Sequence, residues 1–315
     1  MNIDNHLLKD LVMPINLQLE ITNRCNMHCD FCYNNSGVKQ STELTKTEWL
    51  NLSQSIIEHG GVFHCIISGG EPTLLKNDII DIMDKYDSDG SVFTLISNGT
   101  GIDDVFAKLL SKYKWYWVQI SLDSYIADKH DHIRGSTGAW NQAILAINFL
   151  KSNDIPVSSA SVITNENFND MEGLIKLAIS LGIDQVIFSS VLYSGRASNK
   201  NIYYDAEDKF ILYYNELEYK YKNKITLKRA ATYSEQIKEI ITHYPETLII
   251  RPNGDVKIDC ILPFNIGNIR KNNISDIWMK AKMLHNEDFF QSYLESALKD
   301  KFSVVANNIN QDIFY

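Results

Sequence analysis

The stretch TNRCNMHCDFCYN (residues 22–34) sets Cys25, Cys29 and Cys32 within eight residues of one another. Three thiolates on one short loop suit a [4Fe–4S] cluster, each thiolate holding one iron. The fourth iron then lacks a protein ligand and is open to a small molecule. Zinc is the competing reading. Structural zinc sites take four ligands, commonly in paired spacing, and His28, the nearest fourth donor, abuts Cys29.

Outward from this loop, short β-rich runs alternate with helix-periodic stretches. The predicted strands are 15–22, 62–68, 91–97, 115–122, 155–163 and 184–191. Between them lie stretches such as TGAWNQAILAINFLKSN and FNDMEGLIKLAISLG. Their apolar residues recur at helical spacing: Ala143, Ile147 and Leu150 in one; Leu174, Leu177, Ala178 and Leu181 in the other. Six strand–helix units imply parallel strands with right-handed crossovers. Six are too few to close an eight-stranded barrel, so the expected fold is a partial (β/α)6 TIM-like barrel. Its working loops belong at the C-terminal strand ends. The cysteine loop follows strand one, Ser68-Gly69-Gly70-Glu71-Pro72 strand two, and Ser97-Asn98-Gly99-Thr100 strand three, while Ser121-Leu122-Asp123 ends strand four.

The 315 residues carry a net charge of −9, which disfavours non-specific nucleic-acid binding. There is no secretory signal and no run of about 20 apolar residues. Five cysteines, three of them clustered, do not read as a disulfide framework. A cytoplasmic location with no membrane association is the expectation.

In register, these motifs resemble those of radical S-adenosylmethionine (SAM) enzymes. The matching residues are the three cysteines, Phe31 before the third, Gly69-Gly70-Glu71-Pro72, Ser97-Asn98-Gly99, Ser121-Leu122-Asp123 and Ile133-Arg134-Gly135. The resemblance implies one [4Fe–4S] cluster on Cys25, Cys29 and Cys32, with SAM chelating the open iron. It puts Gly69 and Gly70 against the methionyl amine, which Glu71 either complements or, instead, buttresses the loop. It also implies Arg134 on the carboxylate, Ser121 on the ribose, and Phe31, Val191 and Leu192 around the adenine, with Ser97, Asn98 and Asp123 completing the cofactor site. Reductive cleavage of SAM then yields a 5′-deoxyadenosyl radical that abstracts hydrogen from a substrate.

Residues 248–278, LIIRPNGDVKIDCILPFNIGNIRKNNISDIW, resemble the start of the SPASM extension of peptide-modifying members. Gly254, Val256, Cys260, Gly267-Asn268-Ile269 and Ile277-Trp278 carry the likeness. No cysteine follows Cys260, so a truncated SPASM/twitch-like α+β module without an auxiliary cluster is expected. Cys260 is then either a buried small hydrophobe or a hydrogen-atom donor. Cys65 reads as core, and His130, Asp131 and His132 as surface.

The expected organisation is an N-terminal segment (1–14), the partial barrel (15–197), a helical linker region (198–247) whose opening lies in a linker at 193–204, and the truncated module (248–315). The resemblance implies a ribosomally made peptide substrate that is epimerised or cross-linked. It implies an external electron donor of flavodoxin or ferredoxin type. Few residues precede strand one, so any leader is read by the C-terminal half or by a separate leader-binding protein. A small-molecule substrate such as a sugar or nucleoside, and a zinc-stabilised binding protein, are the alternatives.

Overall fold

The computed structural model describes residues 5–192, 194–199, 207–299 and 313–314. Parts of the predicted linker (193 and 200–204) and of the C-terminal tail lie outside them. Six parallel strands follow the predicted order: β1 (Asn16–Glu20), β2 (His64–Ser68), β3 (Val92–Ser97), β4 (Trp115–Ser121), β5 (Val157–Ile163) and β6 (Gln185–Ser190). Strand β7 (Thr226–Arg229) adds in parallel beyond β6, and β8 (Thr247–Ile250) adds in parallel on the other side of β1. The parallel order is therefore β8-β1-β2-β3-β4-β5-β6-β7. The sheet curves without closing, since among the described residues β7 and β8 do not pair.

Alternation along β1 shows how the sequence builds the layers. Leu17 and Leu19 are fully buried against the helices, while Asn16 and Gln18 are half-buried on the concave face. On β4, Val118 and Ile120 pack outward and Gln119 and Ser121 face the lumen. The outer helices Lys46–Glu58, Lys76–Ser88 and Ala139–Ser152 cover the apolar side through Trp49 and Ile56, Ile82 and Tyr86, and Ala143 and Leu150. The first begins at a capping box, in which Thr45 accepts from the Glu48 amide and Glu48 returns to the Thr45 amide.

Strand β9 (Asp255–Lys257) returns antiparallel to β8 through the Asn253-Gly254 turn, where Gly254 takes φ +87°. Strand β10 (Phe264–Asn265) follows, and β11 (Gly267–Asn268) completes the edge beside β9. Strand β12 (Ile313–Phe314) pairs with β10. The predicted hairpin thus extends the barrel's own sheet. The final helical region divides into Ile274–Leu284 and Asp288–Lys299. Trp278 is fully buried there and donates its indole N–H to the Leu11 carbonyl, tying the C-terminal helices to the N-terminal segment.

Candidate active site

The loop after β1 is tied first by its own backbone. The Cys25 amide donates to Gly37 and the Cys32 amide to Cys29. The Ser36 amide lies 3.5 Å from Cys32 Sγ. Cys29 sits in a small apolar cluster with Met27, Phe31, Ile133 and Val191, and Cys25 and Cys32 border it. Burial pushes the Cys25 thiol up to about 11 and raises that of Cys29, with the neighbouring cysteines adding like-charge repulsion. Binding iron reverses this balance, because a metal holds the thiolate. Among the described residues no three His, Cys, Asp or Glu side chains gather tightly enough to share one metal ion. The thiols nonetheless stand close enough for their charges to interact, which fits a cluster that gives each thiolate a separate iron. Arg24 Nε and Ser36 Oγ, on either side of the triplet, are buried without a partner among the described residues and suit the sulfur-rich surface of such a cluster.

The glycines of the β2 loop serve the cysteine loop. A Cβ on Gly70 would lie 2.1 Å from the Arg24 carbonyl oxygen, and one on Gly69, at φ +143°, 2.6 Å from that of Thr22. The Gly70 and Glu71 amides donate to these same carbonyls at 2.7 Å. Glycine is required here so that two backbones can touch, a reason distinct from the expected approach to a methionyl amine.

Glu71 buttresses the loop. Its fully buried carboxylate accepts from the Thr73 amide and hydroxyl, the Ser97 hydroxyl at 2.8 Å and the Asn98 amide at 2.7 Å. Burial raises its pKa, and these donors oppose the rise. Asn98 also bonds Asn26, next to Cys25, through its side chain. Ser97 and Asn98 therefore brace the cysteine loop.

Asp123, expected at the cofactor, has both carboxylate oxygens engaged by protein. One takes Arg134 Nε at 2.5 Å and the other the Val162 amide at 2.9 Å. Arg134 in turn directs Nη1 to Cys29 Sγ at 3.6 Å, and its guanidinium lies 5.3 Å from the centre of the Phe31 ring. Its Nη2 has no protein partner among the described residues and suits an incoming carboxylate. Ser121 ends β4 half-buried on the lumen face, with no hydrogen bond from its hydroxyl among the described residues. Val191 joins Phe31 in the apolar cluster, whereas Leu192 packs on the main core. His130, read as surface, is buried: its Nδ1 accepts from the Asp123 amide, so the short helix Ala127–Arg134 turns it inward. Cys65 is core, as expected.

The sequence reading missed a clamp. Residues 194–199, taken as linker, fold onto the cysteine loop. Arg196 Nε donates to the Cys29 carbonyl at 2.8 Å, and its amide donates to that of Cys32. Gly195 takes φ +58°, and a Cβ there would lie 2.3 Å from the Tyr33 carbonyl oxygen. Glu20 was missed as well. It accepts from the Tyr33 hydroxyl and the Asn34 amide group at the lumen end of β1. A Gly-Arg pair just past a strand end was the one available signal.

Cys260 faces this region from the C-terminal half. It lines a cavity of about 370 Å³ together with Gln18 and Ile66 of the lumen. Burial, Asp259 and Glu20 push its thiol well above the ordinary range, so it carries its hydrogen at neutral pH.

An open parallel barrel with a three-thiol loop at its C-terminal rim defines an iron–sulfur enzyme of the SAM-dependent kind. Residues 19–178 match the radical SAM superfamily, and the chain belongs to it. Residues 244–302 match SPASM, an iron-sulfur cluster-binding domain. Among curated proteins, the sporulation killing factor maturation protein SkfB of Bacillus subtilis is 27% identical over 87% of this chain and 67% of its own length. The PqqA peptide cyclase of Rhizobium meliloti is 23% identical over 93% of this chain and 82% of its own length. Pre-heme d1 synthase of Dinoroseobacter shibae is 33% identical, over 59% of this chain and 46% of its own length. In fold, SuiB of Streptococcus suis bound to its precursor peptide SuiA superposes with a TM-score of 0.73 at 15% identity, covering 92% of this chain and 69% of SuiB. Members of the superfamily use a [4Fe–4S] cluster and SAM. No helix among the described residues is long and apolar enough to cross a membrane.

Proposed function

We propose that this enzyme modifies a ribosomally made peptide, inverting a residue by radical epimerisation with Cys260 as the hydrogen donor. The observation that carries the reading is the placement of the Cys260 thiol, protonated and lining a cavity continuous with lumen residues Gln18 and Ile66. The relatives matched over most of the chain, SkfB and the PqqA cyclase, bear names of peptide maturation. The pre-heme d1 synthase matches only 59% of this chain, which gives less support to a small-molecule substrate. The matched SPASM segment holds one cysteine, so the cluster on Cys25, Cys29 and Cys32 is the only one we assign.

When bound, the cluster and SAM supply the deoxyadenosyl radical that removes one hydrogen from the substrate. Arg134, positioned by Asp123, takes the methionyl carboxylate through its free Nη2, and Ser121 the ribose. Gly69, Gly70, Glu71, Ser97 and Asn98 hold the loop geometry, while Phe31 and Val191 supply an apolar wall that excludes water. Cys260 then gives its hydrogen to the substrate carbon, and the sulfur radical left behind takes one electron and one proton from an external reductant, a ferredoxin- or flavodoxin-type donor. Cyclisation is the second reading, favoured by the likeness to the PqqA peptide cyclase.

Turnover of the precursor peptide in heavy water separates the two. Epimerisation adds one deuterium per inverted residue, and Cys260→Ala stops it while 5′-deoxyadenosine still forms. Loss of two hydrogens from the peptide assigns cyclisation instead.

A further inference from the structure

The cavity that ends at Cys260 has a second character along its length. Its lining includes Gln18 and Cys260 and also Tyr244 and the exposed Glu246, beside the N-terminal end of β8. This is the sheet rim opposite the cysteine loop. Its walls are apolar at Ile240, Ile249 and Phe290, and acidic at Glu239, Glu246 and Asp259. Glu239 and Glu246 are exposed, with no side-chain donor to either carboxylate among the described residues. The oxygen of the half-buried Gln236 side chain is itself buried at the same wall and has no donor among the described residues. An acceptor buried without a donor costs stability, and here it stands near the exposed carboxylate of Glu239 and that of Asp259, which accepts from the Ile261 amide.

The groups facing Asp259 are Glu239, which repels it, and Lys257, which attracts it. Burial outweighs Lys257, and the Asp259 carboxyl is pushed up to about 6. The cavity therefore offers acceptors and negative charge over an aliphatic wall. That pattern fits a cation on a flexible apolar stem.

We propose that this cavity is a subsite for a lysine- or arginine-type side chain of the peptide substrate, whose ammonium or guanidinium is received by Gln236, Glu239 and Asp259. The inference rests on the peptide-modifying reading above and gives it a sequence preference: a basic residue near the residue that is modified. A free diamine shares the same chemistry.

Cys260 reports occupancy of the cavity without any precursor peptide. In the cluster-loaded enzyme, held without oxygen at pH 9 so that a fraction of the thiol ionises, Cys260 is labelled with methyl methanethiosulfonate, a small neutral thiol reagent, and the modified peptide is followed by mass spectrometry. Millimolar cadaverine slows labelling about five-fold, the protection expected of a ligand at a few times its Kd, whereas 1,5-pentanediol at the same concentration does not. Acetyl-Gly-Lys-Gly-amide protects and its norleucine counterpart does not. Protection is lost in Asp259→Asn combined with Glu239→Gln.

Equal labelling with diamine and diol overturns the subsite, and that comparison needs only the unmodified chain. A Cys260 that stays unlabelled at pH 9, where a fraction of its thiol ionises, overturns the continuity of the cavity. Protection by cadaverine without protection by the lysine peptide overturns the peptide source. Formation of 5′-deoxyadenosine in the same preparation tests the radical reading by itself, so failure of the one is separable from failure of the other.

Discussion

Arg134 and Asp123 form a buried ion pair, Nε to carboxylate at 2.5 Å, with the far side of the guanidinium turned to Cys29. The fold thereby fixes a cation beside the iron-binding loop. Removing the carboxylate leaves a guanidinium buried and unpaired. Asp123→Ala is expected to lose about 3–5 kcal/mol of stability, and Asp123→Ala with Arg134→Met to recover most of it. Urea unfolding of the three proteins checks both statements. Arg134→Met alone is expected to raise the KM for SAM more than it changes the iron content.

The clamp beyond β6 predicts a separate phenotype. Gly195 accepts no Cβ against the Tyr33 carbonyl, and Arg196 spans two carbonyls of the loop, those of Cys29 and Ser36. Gly195→Ala and Arg196→Ala are expected to leave the barrel folded but to lower iron retained after reconstitution and gel filtration, with a proportional fall in absorbance near 400 nm. Far-ultraviolet circular dichroism shows the fold intact.

Glu71 links two loops through four donors. In Glu71→Gln the amide NH2 faces a donor that the carboxylate accepted, leaving one buried donor unpaired at about 1–3 kcal/mol. The expected result is a lower melting temperature together with faster cluster loss on dilution, because the same residue braces Asn98 and, through it, Asn26. Thermal unfolding and iron-release rates test this.

Asp259 carries a pH signature. Its folded pKa of about 6 lies above the ordinary 3.8. The folded state therefore holds more protons than the unfolded state between those values, and the group's contribution to stability falls as pH rises through that window. Asp259→Asn removes this dependence. The melting temperature of the variant relative to the parent is expected to climb from pH 4 to 6 and to level off above it.

The cysteine loop and the strand-end motifs were legible because each lies in one short run of sequence. Alternating strands and helices placed all of them on one rim. The partners of Glu71 and Asp123 were not legible. A carboxylate's role depends on which amides long-range packing brings to it, and both turned out to be filled by protein. His130 sits on a short polar helix whose sequence reads as surface, yet the Asp123 amide draws it inward. The Asn253-Gly254 turn announced a hairpin. That its first strand would add to β1 depends on a pairing some 230 residues apart, which no local pattern encodes. Strand β7 was hidden in the same way, as four residues between two helices.

The most direct test of the account is iron counting coupled to SAM cleavage. Protein purified and reconstituted without oxygen is assayed for iron and sulfide, then incubated with SAM and dithionite. The expected result is about four irons per chain, as for one cysteine-bound cluster, with 5′-deoxyadenosine formed and lost in Cys29→Ala. Zinc in place of iron, or four irons with no 5′-deoxyadenosine, would contradict the assignment of Cys25, Cys29 and Cys32. About eight irons per chain would contradict the single cluster.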